Sequence, residues 1–79
     1  PSPVERLSAR ERQVLQYLVE GHTSRAIGEQ LSLSPKSVET YRRRLMEKLG
    51  IRDIPQLVRF AIEQGISGMT YNRRARDYT

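Results

Sequence analysis

The sequence predicts an all-α domain of four short helices that contains a helix-turn-helix. Apolar residues before position 66 recur at three- and four-residue spacing and nowhere alternate over a strand-like length. Four segments follow a residue type that caps helices, and three of them end at a glycine. The chain has 79 residues and no cysteine, so one small core without disulfides must hold it together.

The first predicted helix starts at Ser8. Ser8 and Glu11 have the S-x-x-E spacing of a capping box, in which each side chain accepts a hydrogen bond from the other residue's backbone N–H. Apolar residues follow at helical spacing, and Gly21 is the expected left-handed end. Residues 1–7, PSPVERL, precede this start signal and are assigned to an N-terminal linker.

The second predicted helix is the short segment RAIGEQL, capped by Thr23 or Ser24. Its Gly28 weakens the helix by roughly 1 kcal/mol relative to alanine, which indicates that another backbone passes close to this residue. Only a tight turn of three residues fits after Leu31. The third helix therefore follows the second almost at once.

The third predicted helix has the best-marked ends in the chain. Ser34 is its cap, and Pro35 occupies the first helical position, where a missing N–H costs nothing. Gly50 ends it. Two short helices joined by a tight turn have the order of a helix-turn-helix, whose second helix enters the DNA major groove.

The fourth predicted helix is IPQLVRFAIEQ. Asp53 and Gln56 are spaced for another capping box, and Gly65 closes the helix. The folded domain is accordingly assigned to residues 8–66. Residues 67–79 lack an apolar period and are predicted to form a polar, basic and flexible tail.

The third helix is predicted to have one face toward the core and one toward a partner. At about 100° per residue, one arc of about 80° holds Val38, Tyr41, Leu45 and Leu49. The opposite side holds Lys36, Thr40, Arg43 and Glu47. Arg42 lies only about 40° from Val38, so its stem is predicted to pack beside the core while its head reaches water.

Three residues of this helix suit base edges. Arg43 matches the two acceptors of guanine, Glu39 can accept from a cytosine amino group, and Thr40 can offer its methyl to thymine. The alternative for Glu39 is that it only orients Arg43, four residues further on.

Neighbouring polar groups suit phosphates, which fix the register of a protein on DNA without reading sequence. Lys36 and Ser37 lie in the first turn of the third helix, and Arg44 lies on its flank. Arg25 could pin a phosphate at the start of the second helix, helped by free N–H groups there. The predicted phosphate contacts outside the third helix are Thr23, Ser24 and Arg25.

Composition and motifs narrow the classes of function. The formal charge of +5 favours an anionic partner. The single histidine, His22, has no second histidine or cysteine with which to share a metal, so an exposed loop position is expected. We expect neither an enzyme nor a cofactor, because no nucleophile–base pair, phosphate loop or paired carboxylates are present. No stretch is long enough to span a bilayer, and a soluble protein is expected.

The apolar residues of the fourth helix spread over about 200°, wider than one core seam requires. Part of this stripe is predicted to contact a second copy of the chain, which would pair two recognition helices on a roughly palindromic site. The predicted interface residues are Leu57, Val58, Ala61 and Ile62. The alternative is that they cover the first helix or another domain.

Three stretches carry a family resemblance: LSARERQVLQYLVEG, TSRAIGEQLSLSPKSVETYRRRLMEKLGI and IPQLVRFAIEQGI. Together they resemble the DNA-binding domain of LuxR/FixJ/NarL-type transcription regulators over about residues 7–66. The resemblance implies a four-helix fold that binds double-stranded DNA as a homodimer through the fourth helix. It also implies a bacterial, cytoplasmic and nucleoid-associated regulator, with RNA polymerase as a possible further partner. A receiver or ligand-sensing domain usually precedes such a domain.

By position, the base contacts of the family fall on Glu39, Thr40 and Arg43. Its common backbone contacts fall on Arg25, Lys36, Ser37 and Tyr41. Two positions depart from many relatives. Glu39 stands where a lysine is frequent, so the target bases should differ, and Tyr41 stands where a histidine is frequent. The tyrosine ring can pack inward while its hydroxyl reaches a phosphate.

Two other functions remain open from the sequence. Sigma-factor region-four-like domains also carry a helix-turn-helix but mainly dock on RNA polymerase or another protein. The basic helix and tail could instead hold RNA or acidic membranes without sequence preference.

Overall fold

The computed structural model describes residues 3–65, which form five helical elements and no strand within that range. The predicted all-α fold class is therefore confirmed. The predicted tail, residues 67–79, lies outside the described residues. In chain order the elements are a short 3-10 helix (Pro3–Arg6) and four α-helices: α1 (Ala9–Val19), α2 (Ser24–Leu31), α3 (Pro35–Leu49) and α4 (Ile54–Gln64).

The helix starts follow the predicted caps. The Ser8 Oγ accepts from the Glu11 N–H at 3.1 Å, and the Glu11 carboxylate accepts from the Ser8 N–H at 2.8 Å, which completes the capping box of α1. Of the two candidates for α2, Thr23 is the cap, since its Oγ1 accepts from the Ala26 N–H at 3.1 Å. Ser34 caps α3, as predicted. These bonds satisfy N–H groups that have no partner within the helix.

The start of α4 differs from its prediction in one bond. Asp53 Oδ1 accepts from the Gln56 N–H at 2.9 Å, as a cap should. The Gln56 side chain, however, accepts from the N–H of Arg52 at 3.1 Å and not from that of Asp53. The reciprocal half of the predicted capping box is therefore wrong, because the glutamine stabilises the loop one residue before the cap.

Helix α3 is the central element of the fold. It packs against α1, α2 and the 3-10 helix, while α4 packs against α1. The side chains with no exposed surface come from all four α-helices and form one core. These residues are Val14, Leu15, Ile27, Val38, Leu45, Leu57 and Ala61.

Residues before Ser8 belong to this packed body. Leu7 is only 3% exposed and is part of the core, and its N–H donates to the Val4 carbonyl at 3.0 Å. Val4 packs against the same core. The predicted linker, residues 1–7, thus contributes two apolar side chains to the packing of the domain, Val4 and Leu7.

The turn between α2 and α3 brings two backbones together at Gly28. The Leu33 N–H donates to the Gly28 carbonyl at 2.8 Å. A Cβ atom built on Gly28 would overlap the carbonyl oxygen of Leu33. The close approach predicted from this glycine is confirmed, and it sets the distance between the two helices.

Ser32, which ends α2, is the one non-glycine residue with positive φ in the described range, at φ 59° and ψ 44°. The left-handed conformation costs an L-residue about 1–2 kcal/mol. Glycine avoids this cost, but it also makes the unfolded chain more flexible, which offsets part of the gain in stability. We expect Ser32→Gly to stabilise the domain by about 0.5–1 kcal/mol, measured by urea unfolding. Ser34→Gly in the same connection is the control, and it should cost a few tenths of a kcal/mol because that serine caps α3. A destabilised Ser32→Gly variant would contradict this.

None of the helices within residues 3–65 combines the length and the apolar character needed to cross a membrane.

Candidate nucleic-acid interface

Helix α3 has the two faces that its sequence predicts. Val38 and Leu45 have no exposed surface, and Tyr41 and Leu49 are half-buried against the core. On the other side Lys36, Arg43 and Glu47 are exposed. Thr40 is half-buried, and its hydroxyl donates to the Lys36 carbonyl at 3.2 Å. One side of α3 thus anchors the helix, and the other presents polar groups to solvent.

The N-terminus of α2 meets this outer face at Glu39. Ser24 Oγ donates a hydrogen bond to Glu39 Oε2. On its other side, Glu39 Oε1 lies 3.6 Å from Arg42 Nε. Within residues 3–65, the ion pair of Glu39 is with Arg42 and not with Arg43. The alternative in which Glu39 orients Arg43 is therefore not what the structure contains.

The three consecutive arginines lie in different surroundings. Arg42 is half-buried, with 39% of its side chain exposed, and its head group is held by Glu39. Arg43 and Arg44 are exposed, and neither forms an ion pair within the described range. Two guanidinium groups are therefore available to an anionic partner, while the third is engaged within the domain.

The predicted phosphate contacts surround this face on two helix starts. Arg25 and Lys36 are exposed. Ser37 is half-buried, and Ser34 Oγ donates to its hydroxyl at 3.0 Å. The Ser24–Glu39 hydrogen bond joins the two helix starts, so the predicted base and phosphate residues of α2 and α3 share one surface. The Ser24 hydroxyl already donates its hydrogen bond to Glu39, so the backbone N–H of Ser24 is the donor left for a phosphate.

The residues predicted for a dimer interface divide into two pairs. Leu57 and Ala61 have no exposed surface, since they pack into the core of their own domain. They cannot reach a second copy without rearrangement. Val58 is half-buried, and Ile62 is 59% exposed. Any interface on α4 is therefore restricted to Val58 and Ile62 among the predicted residues.

An ion pair between an exposed lysine and a buried glutamate, which the sequence did not reveal, fastens α3 to α1. Lys48 Nζ donates to Glu11 Oε1 at 2.8 Å, and Glu11 is only 4% exposed. Burial raises the pKa of Glu11, but the hydrogen bonds from Lys48 and Ser8 and the charge of Lys48 outweigh it and hold the pKa below its ordinary value. Glu11 is thus ionised at neutral pH. The two residues are 37 positions apart, and no local pattern connects them.

His22 lies in the turn between α1 and α2. Its ring packs edge-on against Tyr17, with ring centroids 5.3 Å apart, and its Nε2 lies 3.7 Å from Glu20 Oε1. The residue is exposed, as predicted. In the part of the chain that the structure describes, no three His, Cys, Asp or Glu side chains are grouped to hold a metal ion.

Three regulators illustrate the similarity of this chain to known proteins. It is 44% identical over 61 residues to the transcriptional regulatory protein FixJ of Azorhizobium caulinodans, covering 77% of this chain and 29% of that protein. It is 42% identical over 65 residues to the response regulator UvrY of Escherichia coli, covering 82% of this chain and 30% of UvrY. The transcriptional regulatory protein FixJ of Rhizobium meliloti is 40% identical to this chain over 62 residues, which are 78% of this chain and 30% of that protein.

The chain spans about 30% of the length of these relatives. No solved structure matches it significantly. The family model for bacterial regulatory proteins of the luxR family matches residues 5–61, which include all four α-helices up to Ala61. With this match and its helix-turn-helix formed by α2 and α3, the chain belongs to the luxR family of bacterial regulatory proteins.

Proposed function

We propose that the chain binds double-stranded DNA sequence-specifically as the output domain of a transcription regulator, with α3 in the major groove. The observation that carries this proposal is the outer face of α3, where Arg43 and Arg44 are exposed without an ion pair in residues 3–65. An exposed, unpaired guanidinium is suited to a bidentate contact with guanine or with phosphate. The luxR family comprises regulatory proteins, which favours this role over catalysis.

Base recognition is assigned to three residues. Arg43 is proposed to read guanine and Glu39 to accept from an amino group in the groove. The Thr40 hydroxyl is engaged by its own helix, so its methyl group is the part left for thymine. Phosphate contacts are assigned to the flanking groups, which would set the register. These residues are Thr23, Ser24, Arg25, Lys36, Ser37, Tyr41 and Arg44.

The domain is further proposed to act as a homodimer on paired half-sites. The exposed Ile62 and half-buried Val58 supply apolar surface on α4 that the core of the domain does not use. A two-fold axis through this surface would place two copies of α3 on a roughly palindromic site. Because the chain spans only about 30% of its relatives, we propose that a receiver or ligand-sensing domain controls it in a longer protein. Such a regulator would act at the bacterial nucleoid in the cytoplasm, with RNA polymerase as a further partner.

Paired variants test the division between base and phosphate contacts. Arg43→Ala should cost about 1–3 kcal/mol at the preferred site and blur base preference there, because a bidentate contact is lost. Lys36→Ala should weaken binding to all sequences similarly and flatten the salt slope by about one. The measurement is DNA affinity on selected and random duplexes across a salt series, after selection of the site from a random pool. Equal losses on both DNAs for both variants would refute this division.

A further inference from the structure

We infer that Ser24 and Arg42 are positioning residues for Glu39, and that they make the domain select cytosine or adenine, the two bases with a major-groove amino donor, on one strand at one position of its half-site. This inference rests on the proposed DNA-binding function and deepens it. It assigns to Ser24 and Arg42 a role in sequence preference, although neither side chain needs to touch a base.

The carboxylate of Glu39 is held on both sides. Its Oε2 accepts from Ser24 Oγ on α2, and its Oε1 lies 3.6 Å from Arg42 Nε, one turn along α3. A glutamate on a helix surface has several rotamers to lose on binding, so two partners that restrict it beforehand reduce the entropy lost on contact. The side chain nevertheless keeps 52% of its surface exposed and can still meet a ligand.

The chemistry of the held group determines what it selects. An ionised carboxylate only accepts hydrogen bonds, and it has about four acceptor sites. Its contacts with Ser24 and Arg42 leave sites for a further donor. In the major groove, the donors are the amino groups of cytosine and adenine, whereas guanine and thymine present acceptors that a fixed carboxylate would repel. The base opposite Glu39 should therefore be cytosine or adenine.

The contact also explains why Arg42 differs from its neighbours. Its head group lies next to Glu39 instead of in open solvent like those of Arg43 and Arg44. A positive charge beside Glu39 reduces the repulsion between that carboxylate and the phosphates on either side of the groove. Arg42 thereby allows an acidic residue to lie on a DNA-facing surface.

The experiment uses the 79-residue chain and selection of bound duplexes from a random DNA pool at moderate salt. Glu39→Gln should flatten the preference at one base pair of each half-site. Ser24→Ala, which removes no charge, should reduce the preference at that same base pair by about 3- to 10-fold and leave the other positions and the salt slope unchanged. Arg42→Gln should also reduce the preference at that base pair. Ser24→Thr keeps the hydroxyl and should retain the preference.

Two comparisons separate positioning from other roles. In the Glu39→Gln background, Ser24→Ala should have no further effect on base preference, because the group that it positions is gone. Glu47→Gln, on the same exposed side of α3, removes an equal charge and should leave the preference at the Glu39 position intact. Folding of each variant is checked by circular dichroism.

The possible failures are distinguishable. If Ser24→Ala weakens selected and random DNA equally, the Ser24 hydroxyl contacts a phosphate instead of positioning Glu39, and the inference is wrong. It is also wrong if Ser24→Ala and Glu39→Gln alter different base pairs, or if their effects simply add. A wild-type chain that selects no sequence at all would overturn the proposed function and this inference together.

Discussion

Replacing Gly28 with valine should destabilise the domain by about 3 kcal/mol. A Cβ atom at this position overlaps the Leu33 carbonyl oxygen, which is backbone and cannot rotate away like a side chain. The branched γ-carbons of valine would add to this overlap. The Leu33 N–H bond to the Gly28 carbonyl would lengthen, and α3 would move relative to α2.

Urea unfolding measures this loss, and Glu29→Val provides the matched control. Glu29 is the next residue of α2 and is exposed, so the same valine there should cost only about 0.5 kcal/mol through helix propensity. Gly28→Ala should fall between the two, because alanine gains about 1 kcal/mol of helix propensity while still displacing the turn. Equal stability of the Gly28→Val and Glu29→Val variants would contradict this prediction, because it would show that the turn can move away from the new side chain without a loss of stability.

Replacing Lys48 with methionine should cost about 2–3 kcal/mol at pH 7, because it leaves the buried Glu11 carboxylate without its cation. We place the loss below that of a fully buried pair, since Lys48 is 43% exposed and the Ser8 N–H still binds the carboxylate. A loss of this size lowers the Tm of a domain this small by about 8–24 °C.

The pH dependence of this difference identifies its cause. The lowered pKa of Glu11 stabilises the wild-type fold above the unfolded value of about 4.3, and this contribution is lost as the pH falls through the lower folded pKa. Without Lys48, burial should raise the pKa of Glu11. The stability gap between wild type and Lys48→Met should therefore be largest near pH 7 and shrink toward pH 3.

Two further variants serve as controls for the ion pair. Lys36→Met removes an exposed lysine from the same helix and should change stability by less than about 0.5 kcal/mol at every pH. The double variant Glu11→Gln with Lys48→Met should recover much of the loss, because no unpaired charge remains buried. A gap that stays constant from pH 7 to pH 3 would mean that the lysine stem, and not its charge, holds α1 and α3 together.

Local features of the fold were predictable because each depends on a few neighbouring residues. A serine or threonine beside a free N–H, and a glycine with positive φ after a helix, leave a direct signal in the sequence. The caps Ser8 and Ser34 and the glycine ends Gly50 and Gly65 were identified in this way and are confirmed. The buried and exposed faces of α3 follow from helical periodicity alone, which the structure also confirms.

Contacts between helices were not predictable in the same way. The width of the apolar stripe on α4 suggested an external partner for Leu57 and Ala61, yet the core of the domain buries both. Periodicity shows that a residue is apolar and on a given face, but not which neighbour covers that face. Likewise, Glu39 is four residues from Arg43 and three from Arg42, and both spacings permit an ion pair. The contact with Ser24 arises only once α2 lies against α3.

Capping and helical periodicity act over three or four residues, so the caps of α1 and α3, the order of a helix-turn-helix and the polar side of its second helix can be predicted from the sequence. The packing of the helices was needed to show that Lys48 neutralises a buried Glu11, that Ser24 holds Glu39, and that Ile62 rather than Leu57 is exposed on α4. These depend on how separate helices pack, which is set by the summed burial of the core and not by any short segment.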